Sequence, residues 1–296
     1  MTNHQTLVIL SREPISEKLV FSLKDQALQF GITLHSTGGQ TSNGRYYSQR
    51  FESSTHIETA QREQLRTLAG NFNSDLCFIK SDLLPQNIRV LAMDMDSTLI
   101  NIECIDEIAD FTGQKSAVAE ITEATMRGEI KDFKESLRRR VALLEGVHAD
   151  ALESVYRERL RPNPGAVQLL AGAQERSLYT LLVSGGFTFF TEKLRQELGF
   201  RQTQANTLEI IDGKLTGKVL GDIVDGAAKA AYLDATCAKL GCTKANAITM
   251  GDGANDLIMM NGSGISVAYQ AKPVVKEKAD AAFDQVGLDA ALLLIP

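Results

Sequence analysis

Residues 89–98 read RVLAMDMDST, an apolar run of the kind that fills a buried strand, broken at Asp94 by a polar turn that holds a second aspartate, Asp96. Two later stretches have the same form. TLLVSGG (180–186) passes from an apolar run into Ser184, Gly185 and Gly186, and AITMGDGAND (247–256) passes into Gly251, Asp252, Gly253, Asn255 and Asp256. Around them the pattern alternates. It predicts helices over 165–176, 187–198, 227–240 and 256–261, strands over 179–183 and 245–250 and near 264–268 and 280–283, and a hairpin at Asp212-Gly213. Strands alternating with helices predict an α/β fold with a Rossmann-like parallel sheet core. From 103 to about 160 the stretches IDEIADFTG, AVAEITEATMRGEI, FKESLRRRVALLEG and ALESVYRERL are helical in character. They predict a helical cap, about 104–162, inserted after the first strand and lying over the strand ends.

Residues 1–86 read as a separate α+β unit. An apolar strand over 7–10 leads to a helix ending at Gly31, with Leu19, Phe21, Leu23 and Leu28 as its apolar face. Extended runs over 32–36 and 45–51 flank the turn-rich TGGQTSNG, a helix follows over 59–71 and a strand over 75–79. The order is βαββαβ, the ferredoxin-like pattern. The boundary is placed near Pro85, which makes 87–296 the second domain.

The remaining bounds come from length and composition. A chain of 296 residues with 44% hydrophobic and 23% charged residues is an ordinary globular protein of about two domains. Its net charge of −6 lacks the basic excess that nucleic acid requires, so no nucleic-acid partner is expected. Cys77, Cys104, Cys237 and Cys242 fit neither a disulfide framework nor a zinc knuckle, and read as reduced thiols in a cytoplasm. The N-terminus has no basic start before a long apolar stretch, and no segment approaches the ~20 apolar residues of a membrane span. Neither export nor membrane insertion is expected.

Ligand sites of open parallel sheets lie outside the carboxyl ends of the strands, where all three polar turns fall. Singly, each has a plain explanation as a loop, a tight turn or a glycine-rich turn with an Asx cap. Lys229, near the start of its helix, reads alone as a solvated lysine. Phosphate-ester chemistry would use them together. A carboxylate attacks phosphorus only where a divalent ion and an ammonium offset the negative charges, and Asp94 and Asp252 are hard oxygen ligands suited to magnesium. Asp96, two residues from Asp94, faces the same site if the chain stays extended there, and is free to move protons. Ser184 and the N–H groups of Gly185 and Gly186 offer donors to phosphoryl oxygens.

DMDST, the SGG turn, a later lysine and GDGAND together resemble the four motifs of the haloacid-dehalogenase-like hydrolases, over about residues 88–290. The resemblance implies that Asp94 is the phosphorylated nucleophile and Asp96 the general acid and base. It implies Mg2+ held by Asp94, the main-chain carbonyl of Asp96, and Asp252, with Asp256 in support. NIECIDEIAD and SLRRRVALL resemble the segments that read the two ends of an amino-acid zwitterion, which points to Glu103 for the amino group and Arg140 for the carboxylate. As plain alternatives, Glu103 is a first-turn helix acid and Arg138, Arg139 and Arg140 a solvated basic face. Ser184, Gly185, Lys229 and Asn255 complete the implied substrate contacts, and Phe133 lines the pocket or packs in the core. The implied reaction is hydrolysis of O-phospho-L-serine to L-serine and phosphate; the alternative is another small phosphomonoester. Residues 1–86 are similar to an ACT-like module, which leaves three expectations for it: sensing L-serine, forming a homodimer, or simply packing on the catalytic domain.

Overall fold

The computed structural model describes residues 5–80, 83–126 and 129–295. Residues 1–4, where no export signal is expected, and 127–128, within the stretch read as helical, lie outside the described residues.

Residues 5–80 follow the expected order with one short extra strand. The elements are β1 (Gln5–Ser11), α1 (Glu17–Gln29), β2 (Leu34–Ser36), β3 (Thr41–Ser42), β4 (Tyr47–Ser53), α2 (Thr59–Gly70) and β5 (Ser74–Lys80). The sheet order is β2-β4-β1-β5, with β3 beside β4 and each of these pairings antiparallel. Alternation along β1 turns Leu7 and Ile9 into a core shared with Leu19, Leu23 and Ala27 of α1 and with Leu65 and Ala69 of α2. The expected face of α1 needs correction. Phe21 and Leu28 are 73% and 63% exposed. At about 100° per residue they fall roughly 200° and 180° round the helix from Leu19, so they cannot share its face.

This N-terminal sheet is fastened to the C-terminal part of the chain. The buried Asp75 carboxylate accepts N–H bonds from Asp284, Gln285 and Val286 at 3.0–3.1 Å. Arg66 donates to the carbonyl oxygens of Lys276, Ala279 and Asp280 at 2.6, 2.7 and 2.9 Å. The Tyr46 hydroxyl donates to Asp289 at 2.8 Å. Accordingly, the segment through Leu91 gathers with Pro164–Tyr179 and everything from Cys237 onward into one compact unit, while Ala92–Asn163 and Thr180–Thr236 form a second.

The rest of the chain runs β6 (Val90–Met93), α3 (Cys104–Asp110), α4 (Lys115–Met126), α5 (Phe133–Ala142), α6 (Asp150–Ser154), α7 (Ala166–Glu175), β7 (Tyr179–Phe187) and α8 (Thr188–Leu198). Then follow β8 (Gln202–Ile211), β9 (Lys214–Leu220), α9 (Gly226–Lys239), β10 (Ala247–Gly251), α10 (Leu257–Met260), β11 (Ile265–Tyr269), α11 (Pro273–Lys278) and β12 (Ala281–Phe283). The large sheet has the order β12-β11-β10-β6-β7-β8-β9. Its pairings β10/β11, β11/β12 and β7/β8 are parallel, as expected. Strands β6, β10 and β11 are buried along their whole length, which is why they read as unbroken apolar runs. The edge pair β8/β9 is antiparallel, an exception to the parallel sheet. Asp212 and Gly213 both have positive φ there, 50° and 75°, as a two-residue hairpin turn demands.

The insert after β6 is helical, as its sequence implies. Its two ends are tied together: Asn163 donates from Nδ2 to the carbonyls of Thr98 and Ile100, at 2.8 and 3.0 Å. The hairpin β8/β9 packs back on α5, and Gly217 (φ +76°) makes the fit possible, since a Cβ there would lie 3.2 Å from the Ala142 main chain. No described helix is long and apolar enough to cross a membrane.

Burial pushes the Asp75 carboxyl from its ordinary 3.8 up to about 6, against the pull of three main-chain N–H groups. The native chain therefore holds more proton than the unfolded one between those values. The stabilising contribution is complete below the unfolded value and is lost as pH rises through about 6. Denaturant titrations of the wild type and Asp75→Asn should show their stability difference moving in favour of the wild type by up to roughly 3 kcal/mol between pH 7 and pH 4. A difference independent of pH would contradict this assignment.

Candidate active site

Strand β6 ends at Met93, and the next residue, Asp94, is 5% exposed. One of its oxygens, Oδ2, lies 2.7 Å from Lys229 Nζ, and the other accepts the Met95 N–H at 2.7 Å. Lys229 is completely buried, so the reading of it as a solvated lysine fails. A buried ammonium demands a fixed counter-charge, and Asp94 is that partner. The first turn of α9 presents it: Asp225 caps the turn by accepting the Ala228 N–H at 2.8 Å, and its carbonyl takes the Lys229 N–H at 2.9 Å.

Asp94 (φ −74°, ψ 163°) and Asp96 (φ −62°, ψ 136°) have extended backbone, but Met95 between them opens a helical turn, so the unbroken extended segment expected there does not form, and the chain turns at Ser97, which has φ +56°. The Asp96 carboxylate accepts the Cys104 N–H at 3.2 Å. Desolvation first, and then the negative charge of Glu103, push its pKa up to about 7, while hydrogen bonding to Cys104 and the charge of Lys229 pull it down. A carboxyl held there can give or take a proton near neutrality.

The SGG stretch was expected to be a turn after a strand ending at 183; instead β7 continues to Phe187 with a register shift between Val183 and Phe187. Ser184 is buried, and its Oγ accepts the Gly186 N–H at 2.9 Å. A Cβ on Gly186 would lie 2.5 Å from Asp96 Oδ2 and 3.1 Å from Ser184 Oγ, so glycine lets these groups approach. Phe133 leans on Gly185, its ring 3.1 Å from where a Cβ would be.

Glu103 sits at the N-cap of α3 without capping it; its Oε1 takes a hydrogen bond from Ser97 Oγ at 2.7 Å. The three arginines of α5 separate by environment. Arg138 and Arg139 are exposed, and Arg139 pairs with Glu135 at 2.8 Å. Arg140 is half-buried; burial lowers its pKa, against the opposing charges of Glu103, Asp106 and Asp96. The solvated-face reading therefore holds for two of the three.

In the loop after β10, buried Asp256 folds back so that its Oδ2 accepts the N–H groups of Asp252 and Gly253 at 3.2 and 3.1 Å. Asn255 lies beside it, donating from Nδ2 to Asp256 at 3.5 Å. Among the described residues, Asp94, Asp252 and Asp256 form a group of acidic side chains able to share a cation, one carboxylate oxygen of each lying within 4.8 Å of the others.

Sequence reading overlooked Ser97, Asn206, Asp225 and Lys134. Ser97 stood within DMDST and its neighbourhood was legible. Asn206, which donates to the Gly185 carbonyl within the SGG segment and accepts the Val224 N–H just before α9, carries no local motif. Lys134 and Asp225, 3.3 Å apart, lie 91 positions from each other in sequence and no spacing joins them.

Residues 91–261 match the model of the haloacid dehalogenase-like hydrolase family. The chain is 56% identical over 218 residues to a phosphoserine phosphatase of Polaromonas sp., covering 72% of this chain and 92% of that one. Among solved structures, a HAD family hydrolase from Salmonella enterica serovar Typhi superposes with a TM-score of 0.86 at 28% identity, covering 98% of both chains. A probable phosphoserine phosphatase from Vibrio cholerae gives 0.79 at 33% identity, covering 98% of this chain and 86% of that one. With the family match across more than half its length and a relative 56% identical over 218 residues, the chain belongs to the haloacid dehalogenase-like hydrolases.

Proposed function

We propose that this chain is a magnesium-dependent phosphatase that hydrolyses O-phospho-L-serine to L-serine and phosphate through a phosphorylated Asp94. The observation that carries the reading is the buried Asp94–Lys229 pair, 2.7 Å between Oδ2 and Nζ. A carboxylate so placed is ionised and oriented, and the ammonium beside it attracts the phosphoryl group that it is to attack.

The donor set fits a magnesium ion, since Asp94, Asp252 and Asp256 offer hard carboxylate oxygens within one small space. Asp256 already spends Oδ2 on two main-chain N–H groups, so we assign it to shaping the loop. Asp94, the main-chain carbonyl of Asp96, and Asp252 would be the ligands. Magnesium bound there supplies positive charge that offsets the repulsion between carboxylate and phosphate.

In the first half-reaction Asp94 forms a bond to phosphorus while the bond from phosphorus to the serine oxygen breaks, and Asp96 gives its proton to that oxygen. In the second, Asp96 takes a proton from water, the resulting hydroxide bonds to phosphorus, and the acyl phosphate bond breaks to return the Asp94 carboxylate. Ser184, Gly185, Lys229 and Asn255 would hold the phosphoryl oxygens, and Glu103 and Arg140 the amino and carboxylate ends of the substrate. Support for this substrate comes from the half-buried Arg140 among carboxylates and from relatives named phosphoserine phosphatase. The short step from phosphoserine to serine is the closing reaction of serine synthesis, which suits a cytoplasmic enzyme.

Residues 1–86 would be an ACT-like unit that senses L-serine, joins two chains in a homodimer or simply packs on the catalytic part; the βαββαβ order and the antiparallel sheet support the ACT-like fold. Residues 87–296 would be the catalytic domain, with the cap at about 104–162.

Asp94→Asn should lower phosphate release by ~10³-fold or more while leaving the circular-dichroism spectrum unchanged. Turnover near the wild-type rate would remove the covalent route. Arg140→Ala should cut kcat/KM for phosphoserine by about 10²-fold, the worth of a charged bidentate contact, yet change the rate on an aryl phosphate by less than about threefold. Equal losses on both would separate Arg140 from carboxylate recognition. Chelation should abolish phosphate release and added magnesium restore it; activity that survives exhaustive chelation would contradict the metal assignment.

A further inference from the structure

We propose that Asn206 is the positioning residue of the phosphate-binding segment, an inference that rests on the role given above to Ser184, Gly185 and Gly186. Asn206 pairs with Phe187 in the β7/β8 register, just past the shift that interrupts the ladder between Val183 and Phe187. Such an irregularity leaves main-chain groups without their ladder partners. The Asn206 side chain supplies one. Only 1% exposed, it donates from Nδ2 to the Gly185 carbonyl at 2.8 Å, and its Oδ1 accepts the Val224 N–H at 2.8 Å.

The geometry of the peptide unit makes the first of these bonds consequential. A planar trans peptide directs its C=O and N–H to opposite sides, so holding the Gly185 carbonyl fixes the direction of the Gly186 N–H. That N–H is the donor found 2.9 Å from Ser184 Oγ, on the side where Asp96 Oδ2 would meet a Cβ of Gly186 at 2.5 Å. The second bond acts on the other wall. Val224 precedes Asp225, which caps the helix carrying Lys229. One buried amide thus sets the separation between the peptide that donates to phosphoryl oxygens and the helix that brings the ammonium. The position needs a donor and an acceptor on one short planar group, which only an asparagine-sized amide offers; an ionised aspartate keeps the acceptor and loses the donor.

The test uses the full-length chain with Asn206→Asp and Asn206→Ala. Both should lower kcat for phosphoserine by roughly 30-fold or more with KM changed by less than about threefold, because a misdirected donor is missed most where phosphoryl charge peaks. In both, amide exchange should accelerate at Gly186 and Val224 while the amides of β1 and β5 keep their wild-type rates. A general loss of stability would instead raise exchange throughout the chain. If Asn206→Ala fails to fold, Asn206→Asp carries the test. Variants with kcat within threefold of wild type, uniform acceleration of exchange, or collapse of both variants would overturn the proposal. Should the wild type release no phosphate from phosphoserine, the substrate reading fails, and local exchange at Gly186 and Val224 alone decides the positioning role.

Discussion

Lys229 and Asp94 face each other with hardly any water, one fully buried and the other 5% exposed. Taking two charges out of water costs several kcal/mol for each, and the attraction at 2.7 Å offsets that only where geometry is held firmly. Much of the second compact unit can be read as the holding. The apolar strand β6 brings Asp94 to its end, the Asp225 cap starts α9 at the right place, and Asp94 Oδ1 is pinned by its own neighbour's N–H. A hydrophobic pair at these positions would serve stability as well or better, so the ion pair is better explained by chemistry than by folding.

Around that pair the chain removes side-chain bulk where groups must meet. Gly186 admits Asp96 and Ser184, and Gly185 admits the Phe133 ring. The Asp96 carboxyl differs from that of Asp94 in its charged neighbour: desolvation and the negative charge of Glu103 push its pKa up, toward the neutral form. Two aspartates two residues apart thus have different surroundings, one facing an ammonium at 2.7 Å and one beside the carboxylate of Glu103.

The α/β core was legible because β6 and β10 are buried runs ending abruptly at polar residues, and the Asp212-Gly213 hairpin because that pair tolerates positive φ. The apolar residues Phe21 and Leu28 misled because composition was weighed above angular position round the helix. Lys229 could not be distinguished from a surface lysine in its own helix, since its burial depends on a strand 135 residues earlier. The same holds for Asn206 and for Lys134 with Asp225, whose partners are set by tertiary structure and leave no local pattern. Arg140 differs from Arg138 and Arg139 only in which way the helix turns it.

The most direct test of a nucleophilic Asp94 is to quench the enzyme with acid during turnover of phosphoserine and map the trapped protein by peptide mass spectrometry. The account predicts one phosphoryl group, labile to base, on the peptide containing Asp94. A phosphoryl group on any other side chain, or unmodified enzyme under conditions where turnover is fast, would contradict it.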